Sequence, residues 1–140
     1  MNISPAGIAF IERNEGYSAY VYTDAGGQSI GYGHHLLPGE SFPDGITREE
    51  AQDLMMKDLQ PIEQYLNAFR LNQNQFDALC DFGYNLGIGA LAEMLAHGLN
   101  QVPTQILRWN HVGGAVNAGL TARRQEEAAM FSLATPSNED

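Results

Sequence analysis

Two acidic residues, Glu15 and Asp24, occupy segments of opposite character. Glu15 follows Ile8 and Ile11 at helical spacing, so it continues an apolar face where we expect it to hold its proton. Asp24 opens the polar, glycine-rich stretch "DAGGQSIGYGHH", where a carboxylate stays hydrated and ionised. Glycoside hydrolysis uses one protonated and one ionised acid. On spacing alone, a local cap at Glu15 and a turn at Asp24 remain the simpler interpretation.

Ser29 supplies a hydroxyl beyond the same glycine-rich stretch. It can hold a water near Asp24, or it can satisfy backbone groups at the end of a strand. No G-x-S-x-G turn surrounds it, so the sequence does not favour a nucleophilic serine.

The paired histidines His34 and His35 raise the question of a metal site. Adjacent strand residues point to opposite faces, so the two rings are not expected to bind one ion. His97 and His111 lie at no ligand spacing, and the lone Cys80 excludes a cysteine zinc cluster. We therefore expect no metal and no cofactor. Instead, one of the paired histidines should make a structural ion pair or hydrogen bond, for instance with an aspartate on the following helix.

Arg123 and Arg124 stand together in a chain with seven basic residues. On the last helix Arg124 shares a face with Phe131, so it projects inward and needs a carboxylate partner. Glu15 and Glu127 are the two candidates. The alternative is a solvated arginine pair whose stems cover apolar surface.

The N-terminal elements position these groups. Ser4, followed by Pro5, predicts the start of a helix that ends at Gly16. The run "YSAYVYTD" predicts a strand, and "SIGYG" predicts the strand that returns. Asp24 should then lie at the turn and Ser29 at the start of the returning strand.

The remainder of the chain has helical patterns. Thr47 with Glu50, and Asn72 with Gln75, have the spacing of capping boxes. Pro61 is expected to break or kink the helix that Thr47 begins.

Further helices are expected at 104–109 and 121–133. The predicted fold class is α+β, a small N-terminal antiparallel hairpin or sheet followed by a mostly helical body. We expect a single domain over residues 1–140, of which about 134–140 form a flexible tail.

The composition excludes several function classes. The net charge is −10 with no basic stripe, so a nucleic-acid partner is not expected. No apolar run approaches the ~18 residues of a membrane span, so we expect no membrane insertion. The N-terminus lacks the basic flank and apolar core of a secretion signal, and the single cysteine suits a reducing cytoplasm.

Three blocks, in order, carry a family resemblance. The segment "ISPAGIAFIERNEGYSAYVYTDAGGQSIGYGHHL" resembles the opening of bacteriophage-type lysozymes, the muramidase endolysins of glycoside hydrolase family 24. "QNQFDALCDFGYNLG" is similar to the central helix of that family, and "RWNHVGGAVNAGLTARRQEE" is similar to its C-terminal segment. The resemblance covers nearly the whole chain and implies a lysozyme-like catalytic domain.

The resemblance also implies roles for individual residues. Glu15 matches the general acid, Asp24 the second catalytic carboxylate, and Ser29 the position where the family has a threonine hydroxyl. The turn between Asp24 and Ser29 is one residue shorter than the family pattern. The resemblance implies substrate-binding or supporting roles for further residues: Gly31, Tyr32, Gly33, His34, Asn85, Arg123 and Arg124.

The implied activity is hydrolysis of the β-1,4 bond between N-acetylmuramic acid and N-acetylglucosamine in peptidoglycan. The implied partner is bacterial peptidoglycan, and the protein is expected to be a monomer. The implied role is lysis of the bacterial cell by a phage. The protein is expected in the host cytoplasm until its release to the cell wall, or attached to the virion. The shorter turn and the serine keep two alternatives open: a non-catalytic glycan-binding or virion structural module, and a lytic transglycosylase.

Overall fold

A computed structural model describes residues 1–133 and divides them into two compact units. The sheet unit comprises residues 9–60, and the helical unit comprises residues 1–8 and 61–133 of the described chain. The predicted single domain over 1–140 stays a prediction beside this division. The elements of the described part are α1 Pro5–Glu15, β1 Ser18–Asp24, β2 Gly27–Gly31, β3 His34–His35, α2 Arg48–Leu66, α3 Gln73–Leu86, α4 Ile88–Leu95, α5 Val102–Gln105, β4 His111–Val112, β5 Ala115–Val116 and α6 Ala118–Ser132.

Helix α1 begins and ends where the sequence predicts. The Ser4 hydroxyl accepts a hydrogen bond from the Gly7 amide at 3.2 Å, which satisfies one of the free N–H groups of the first turn. Gly16 follows the last helical residue with a φ of 71°, a left-handed conformation that glycine adopts without strain. Glu15 is therefore the terminal residue of α1.

Strands β1, β2 and β3 form one antiparallel sheet in the order of the chain. A two-residue turn joins Asp24, the last residue of β1, to Gly27, the first of β2. The prediction that Ser29 starts the returning strand was wrong, because β2 begins two residues earlier. Ser29 is a central residue that pairs with Tyr22 on β1 and with His35 on β3.

The returning segment "SIGYG" is also shorter as a strand than predicted. Strand β2 ends at Gly31, and Tyr32 and Gly33 form the turn to β3. Gly31 and Gly33 have φ values of 68° and 86°, which favour glycine and terminate an extended run.

The capping box of α2 is confirmed. The Thr47 amide donates to Glu50 Oε1 at 3.0 Å, and the Glu50 amide donates to Thr47 Oγ1 at 3.1 Å. Of the break or kink predicted at Pro61, the break is wrong, since α2 continues through Pro61 to Leu66, and the kink stays a prediction. Pro61 is exposed, so the carbonyl that loses its helical donor can be solvated.

The helical unit is built around α3, whose second capping box is also confirmed. The Gln75 amide donates to Asn72 Oδ1 at 2.8 Å, and the Asn72 amide donates to Gln75 Oε1 at 3.0 Å. The lone Cys80 lies on α3 and is fully buried, and burial raises the pKa of its thiol. Side chains on α3, α4, α5 and α6 complete the apolar core, among them Phe76, Leu79, Phe82, Leu91, Met94, Val102 and Phe131.

The last third of the described chain differs from the prediction. The helix expected at 104–109 is instead α5, flanked by two 3₁₀ segments, Leu99–Gln101 and Ile106–Arg108. The helix expected at 121–133 begins earlier, because Asn117 caps it by accepting a hydrogen bond from the Leu120 amide at 2.9 Å. A hairpin of β4 and β5, which the sequence analysis did not predict, precedes this helix.

These elements confirm the predicted α+β class, a mostly helical chain with a small antiparallel sheet near the N-terminus. The predicted flexible tail at 134–140 lies outside the described residues. Among residues 1–133, no helix is both long enough and apolar enough to cross a membrane.

Candidate active site

Asp24 and Ser29 are brought together by the β1–β2 hairpin. The Ser29 hydroxyl donates to Asp24 Oδ2 at 3.2 Å, and the Gly26 amide donates to Asp24 Oδ1 at 2.9 Å. Asp24 is exposed, whereas Ser29 is buried in the sheet. The short turn therefore still places the hydroxyl beside the carboxylate, and it leaves the carboxylate open to a ligand.

His35 is a third member of this group that the sequence analysis did not assign. Its Nδ1 lies 2.9 Å from Ser29 Oγ, on the side of β2 opposite to β1. The signal for it was the sequence Gly31-Tyr32-Gly33, because a three-residue turn there pairs residue 30 with 34 and residue 29 with 35.

Tyr22 connects the predicted general acid to the same group. Burial raises the pKa of Tyr22, the negative charges of Asp24 and Glu15 raise it further, and a hydrogen bond with Ser29 opposes the rise. Glu15 is half-buried at the end of α1. Glu15, Asp24 and Ser29, the three residues predicted to be catalytic, therefore all affect the pKa of Tyr22. All of them lie in the sheet unit.

His34 has the partner that the sequence predicts, an aspartate on the following helix. Its Nδ1 lies 2.6 Å from Asp58 Oδ2 on α2, and its Nε2 lies 2.8 Å from Glu40 Oε1. Burial alone would lower the pKa of His34, but the hydrogen bonds and charges of Asp58 and Glu40 outweigh it, so the pKa is raised. The ring is 4% exposed and joins β3 to α2, which is a supporting contact.

Gly31, the last residue of β2, and Tyr32, in the turn that follows it, are buried. The Tyr32 ring is 4% exposed and packs against Tyr17 with 5.6 Å between ring centroids. Burial and a hydrogen bond with Glu12 raise the pKa of Tyr32, and Arg48 opposes the rise. Gly31 is equally enclosed, and Gly33 lies half-buried in the turn. Of the two roles that the resemblance allows them, the buried pair fits the supporting one.

The helical unit holds the remaining predicted site residues in a buried ionic cluster. Arg123 binds Asp81 through two hydrogen bonds, from Nε to Oδ2 at 2.9 Å and from an NH2 nitrogen to Oδ1 at 2.7 Å. Arg123 is 7% exposed, so the alternative of a solvated arginine pair is wrong. Asp81 was not identified from the sequence, because 42 residues separate it from its partner.

Arg124 pairs with Glu127, one of its two predicted partners. Nε lies 2.6 Å from Glu127 Oε1 as an ion pair without an aligned hydrogen bond, and an NH2 nitrogen donates to Oε2 at 2.8 Å. The same nitrogen donates to Asn85 Oδ1 at 2.8 Å. Burial, followed by the hydrogen bond and charge of Asp81, raises the pKa of Glu127, while Arg124 opposes the rise. Asn85 is thus a partner of a fully buried arginine.

No cluster of three or more histidine, cysteine or carboxylate side chains in residues 1–133 could hold a metal ion. The candidate site in the sheet unit therefore offers five groups for chemistry: the side chains of Glu15, Asp24, Ser29, His35 and Tyr22.

Comparison with known proteins shows the family of the chain. The family model described as phage lysozyme matches residues 12–127. The chain is 37% identical to the endolysin of Bacillus phage PZA over 99% of its own length and 58% of that protein. It is 33% identical to the endolysin of Salmonella phage P22 over 94% of its own length and 99% of that protein. The chain therefore spans less than two-thirds of the PZA endolysin and nearly all of the P22 one.

The fold has close counterparts among solved structures. The muramidase domain of SpmX from Asticaccaulis excentricus superposes with a TM-score of 0.80 at 31% sequence identity, covering 95% of this chain and 99% of that domain.

Proposed function

Because this chain belongs to the phage lysozyme family, we propose that it hydrolyses peptidoglycan at the β-1,4 bond between N-acetylmuramic acid and N-acetylglucosamine. The observation that carries this proposal is the 3.2 Å contact between the Ser29 hydroxyl and the Asp24 carboxylate. It gives an exposed carboxylate a neighbouring hydroxyl, and two such groups can hold one water between them. Glu15 ends a helix in the same unit.

In the proposed mechanism, protonated Glu15 donates its proton to the leaving glycosidic oxygen. Asp24 stabilises the positive charge that develops on the sugar and, with Ser29, directs a water to the opposite face of the ring. Water attack inverts the anomeric carbon and requires carboxyl groups ~6.5–9.5 Å apart, whereas a retaining enzyme has them ~5–5.5 Å apart. A crystal structure with the shorter separation would contradict the inverting mechanism.

The supporting groups account for how the catalytic residues keep their places. The His34 ring binds β3 to α2 through Asp58, and the buried Tyr32 ring packs against Tyr17. Rigid supports matter because displacing a catalytic group by 1 Å can lower the rate ~100-fold. We propose supporting roles for both residues.

Two alternatives give different outcomes. A non-catalytic glycan-binding or virion structural module was suggested by the short turn and the serine, yet that turn still brings Ser29 to Asp24. A lytic transglycosylase would cleave the same bond and leave an anhydro sugar in place of a reducing end. Mass spectrometry of the released fragments separates the three, since the module releases none.

The first prediction concerns Glu15. Glu15→Gln keeps the size of the side chain but cannot donate the acid proton, so we expect hydrolysis of purified peptidoglycan to fall at least ~100-fold. The measurement is the release of reducing ends, with thermal unfolding to show that the variant is folded. Glu93→Gln, the same change at an exposed position on α4, serves as the folded control. Activity of Glu15→Gln near that of the unaltered chain would remove Glu15 from its proposed role.

A further inference from the structure

Ser29 is held by two contacts that together define where its hydrogen lies. Its Oγ is 3.2 Å from Asp24 Oδ2 and 2.9 Å from His35 Nδ1. A serine hydroxyl has one hydrogen to donate and two lone pairs, and a carboxylate can only accept. While Asp24 is ionised, its bond with Ser29 therefore uses the single serine hydrogen.

That hydrogen is then unavailable to His35. The contact at 2.9 Å is favourable only when His35 donates, that is, when its Nδ1 carries a hydrogen. If Nδ1 carried no hydrogen, the hydroxyl hydrogen of Ser29 would point to the His35 ring. A lone pair of Ser29 Oγ would then face a lone pair of Asp24 Oδ2, and the two oxygens would repel each other. We propose that His35 is a positioning residue, whose Nδ1–H fixes the Ser29 hydroxyl with its hydrogen directed at Asp24.

The consequence for the reaction rests on the proposed function. In this arrangement His35 donates to Ser29, and Ser29 donates to Asp24. The two hydrogen bonds use the hydroxyl hydrogen and one lone pair of Ser29 Oγ. The second lone pair is left for the attacking water, once the Tyr22 hydroxyl gives up its hydrogen bond with Ser29. A water that donates one hydrogen to Asp24 and the other to Ser29 is oriented by two acceptors, with its own lone pair free to attack the sugar.

The need for such a device follows from the serine itself. Serine has no γ-methyl, so its χ1 angle is free to take three staggered values, whereas a β-branched side chain is restricted. The imidazole of His35 acts on the oxygen directly and compensates for that freedom. His35 is exposed, so replacing its ring removes the bond to Ser29 without opening the core.

The first test reads the hydrogen on the ring and does not depend on activity. In protein labelled with ¹⁵N in its imidazoles, at a pH where the His35 ring is neutral, the Nδ1 of His35 should give the shift of a protonated nitrogen and Nε2 that of a bare one. The opposite tautomer, with the hydrogen on Nε2, would overturn the proposal.

The second test compares two substitutions. His35→Asn can still place an N–H near the former Nδ1, whereas His35→Leu cannot donate. We expect Ser29 to keep a single χ1 rotamer, measured by three-bond couplings, in the unaltered chain and in His35→Asn. In His35→Leu the couplings should average over rotamers. A single rotamer in His35→Leu would overturn the proposal.

Kinetics on purified peptidoglycan complete the set. We expect His35→Leu to lower kcat about five- to ten-fold with little change in KM, the size of one lost hydrogen bond. His35→Asn should stay within about two-fold of the unaltered chain. The control is His97→Leu, an exposed histidine in the helical unit. Equal kcat values for the unaltered chain and His35→Leu would refute the role of His35. An inactive unaltered chain would refute the proposed function, while the tautomer and rotamer measurements would still decide on His35.

Discussion

The hydroxyl of Ser29 lies between a carboxylate on one neighbouring strand and an imidazole on the other. Both contacts are within hydrogen-bonding distance, at 3.2 and 2.9 Å, and neither partner is adjacent to Ser29 in the sequence. Because the three side chains come from three strands, their geometry depends on the register of the sheet. A slip of one residue would turn Ser29 to the opposite face and separate all three.

His34 gives the molecule a pH dependence of stability. Its folded pKa is raised above the ordinary value of ~6.5, because Asp58 and Glu40 outweigh the opposing effect of burial. The protonated ring therefore stabilises the fold fully below pH ~6.5, and this contribution is lost as the pH rises through the raised pKa. We expect the melting temperature to fall over that window in thermal unfolding followed by circular dichroism.

Substitution isolates this contribution. His34→Asn removes the titrating ring, so its melting temperature should be lower at acid pH and should vary less across the same window. His97→Asn, at an exposed position, should keep the pH dependence of the unaltered chain. A His34→Asn profile parallel to that of the unaltered chain would contradict the assignment.

Part of the site could be predicted from the residues. The aspartate partner of His34 could be predicted because adjacent strand residues diverge and a helix with aspartates follows. The role of His35 required the exact register of β2 and β3. The pairing of Arg123 with Asp81 required packing of α6 on α3, which no local pattern encodes. Long-range ionic contacts are fixed by tertiary structure, and the sequence indicates only that a buried arginine needs an acid.

The packing of β2 against α2 depends on the absence of a side chain at Gly31. A Cβ there would lie 3.0 Å from the Ala51 Cβ and 3.2 Å from Ile46 Cδ1, and φ is +68°. Gly31→Ala would combine a strained backbone with overpacking, so we expect it to lower the free energy of unfolding by about 1–3 kcal/mol. Chemical denaturation measures this change.

A matched glycine should respond in the opposite direction. Gly89 lies exposed near the start of α4, and a Cβ there meets nothing within 4 Å. Gly89→Ala should raise the free energy of unfolding by about 0.4–1 kcal/mol, because alanine loses less backbone entropy in a helix. If Gly31→Ala were as stable as Gly89→Ala, the close contact of β2 with α2 would not constrain this position.

Secondary-structure elements that a local sequence pattern specifies could be predicted. Elements whose bounds depend on solvent exposure or tertiary packing could not. The two capping boxes satisfy N–H groups within four residues, so the sequence specifies them fully. Pro61 does not end α2 because its position is exposed. The sequence does contain a signal for the β4–β5 hairpin: Gly113 and Gly114, with φ values of 57° and 83°, form a two-residue turn between Val112 and Ala115.

The net charge of −10 should govern how the whole protein approaches its proposed substrate. Cell walls are anionic, so long-range repulsion is expected to slow binding at low salt. Raising the ionic strength from about 10 to 150 mM shortens the screening length from ~30 to ~8 Å. We expect wall lysis, followed by turbidity, to become faster over this range.

An uncharged soluble oligosaccharide provides the comparison for this effect. Its hydrolysis should be nearly independent of salt, because no repulsion is present to be screened. Faster lysis at low salt would show that attraction, not repulsion, dominates the encounter with the wall.

The enclosure of Cys80 has a practical consequence. A thiolate is the form that attacks disulfides and is oxidised, and burial keeps this sulfhydryl protonated as well as out of reach. The chain can therefore pass between reducing and oxidising surroundings without covalent change at this sulfur, and its preparation should behave alike with or without a reductant.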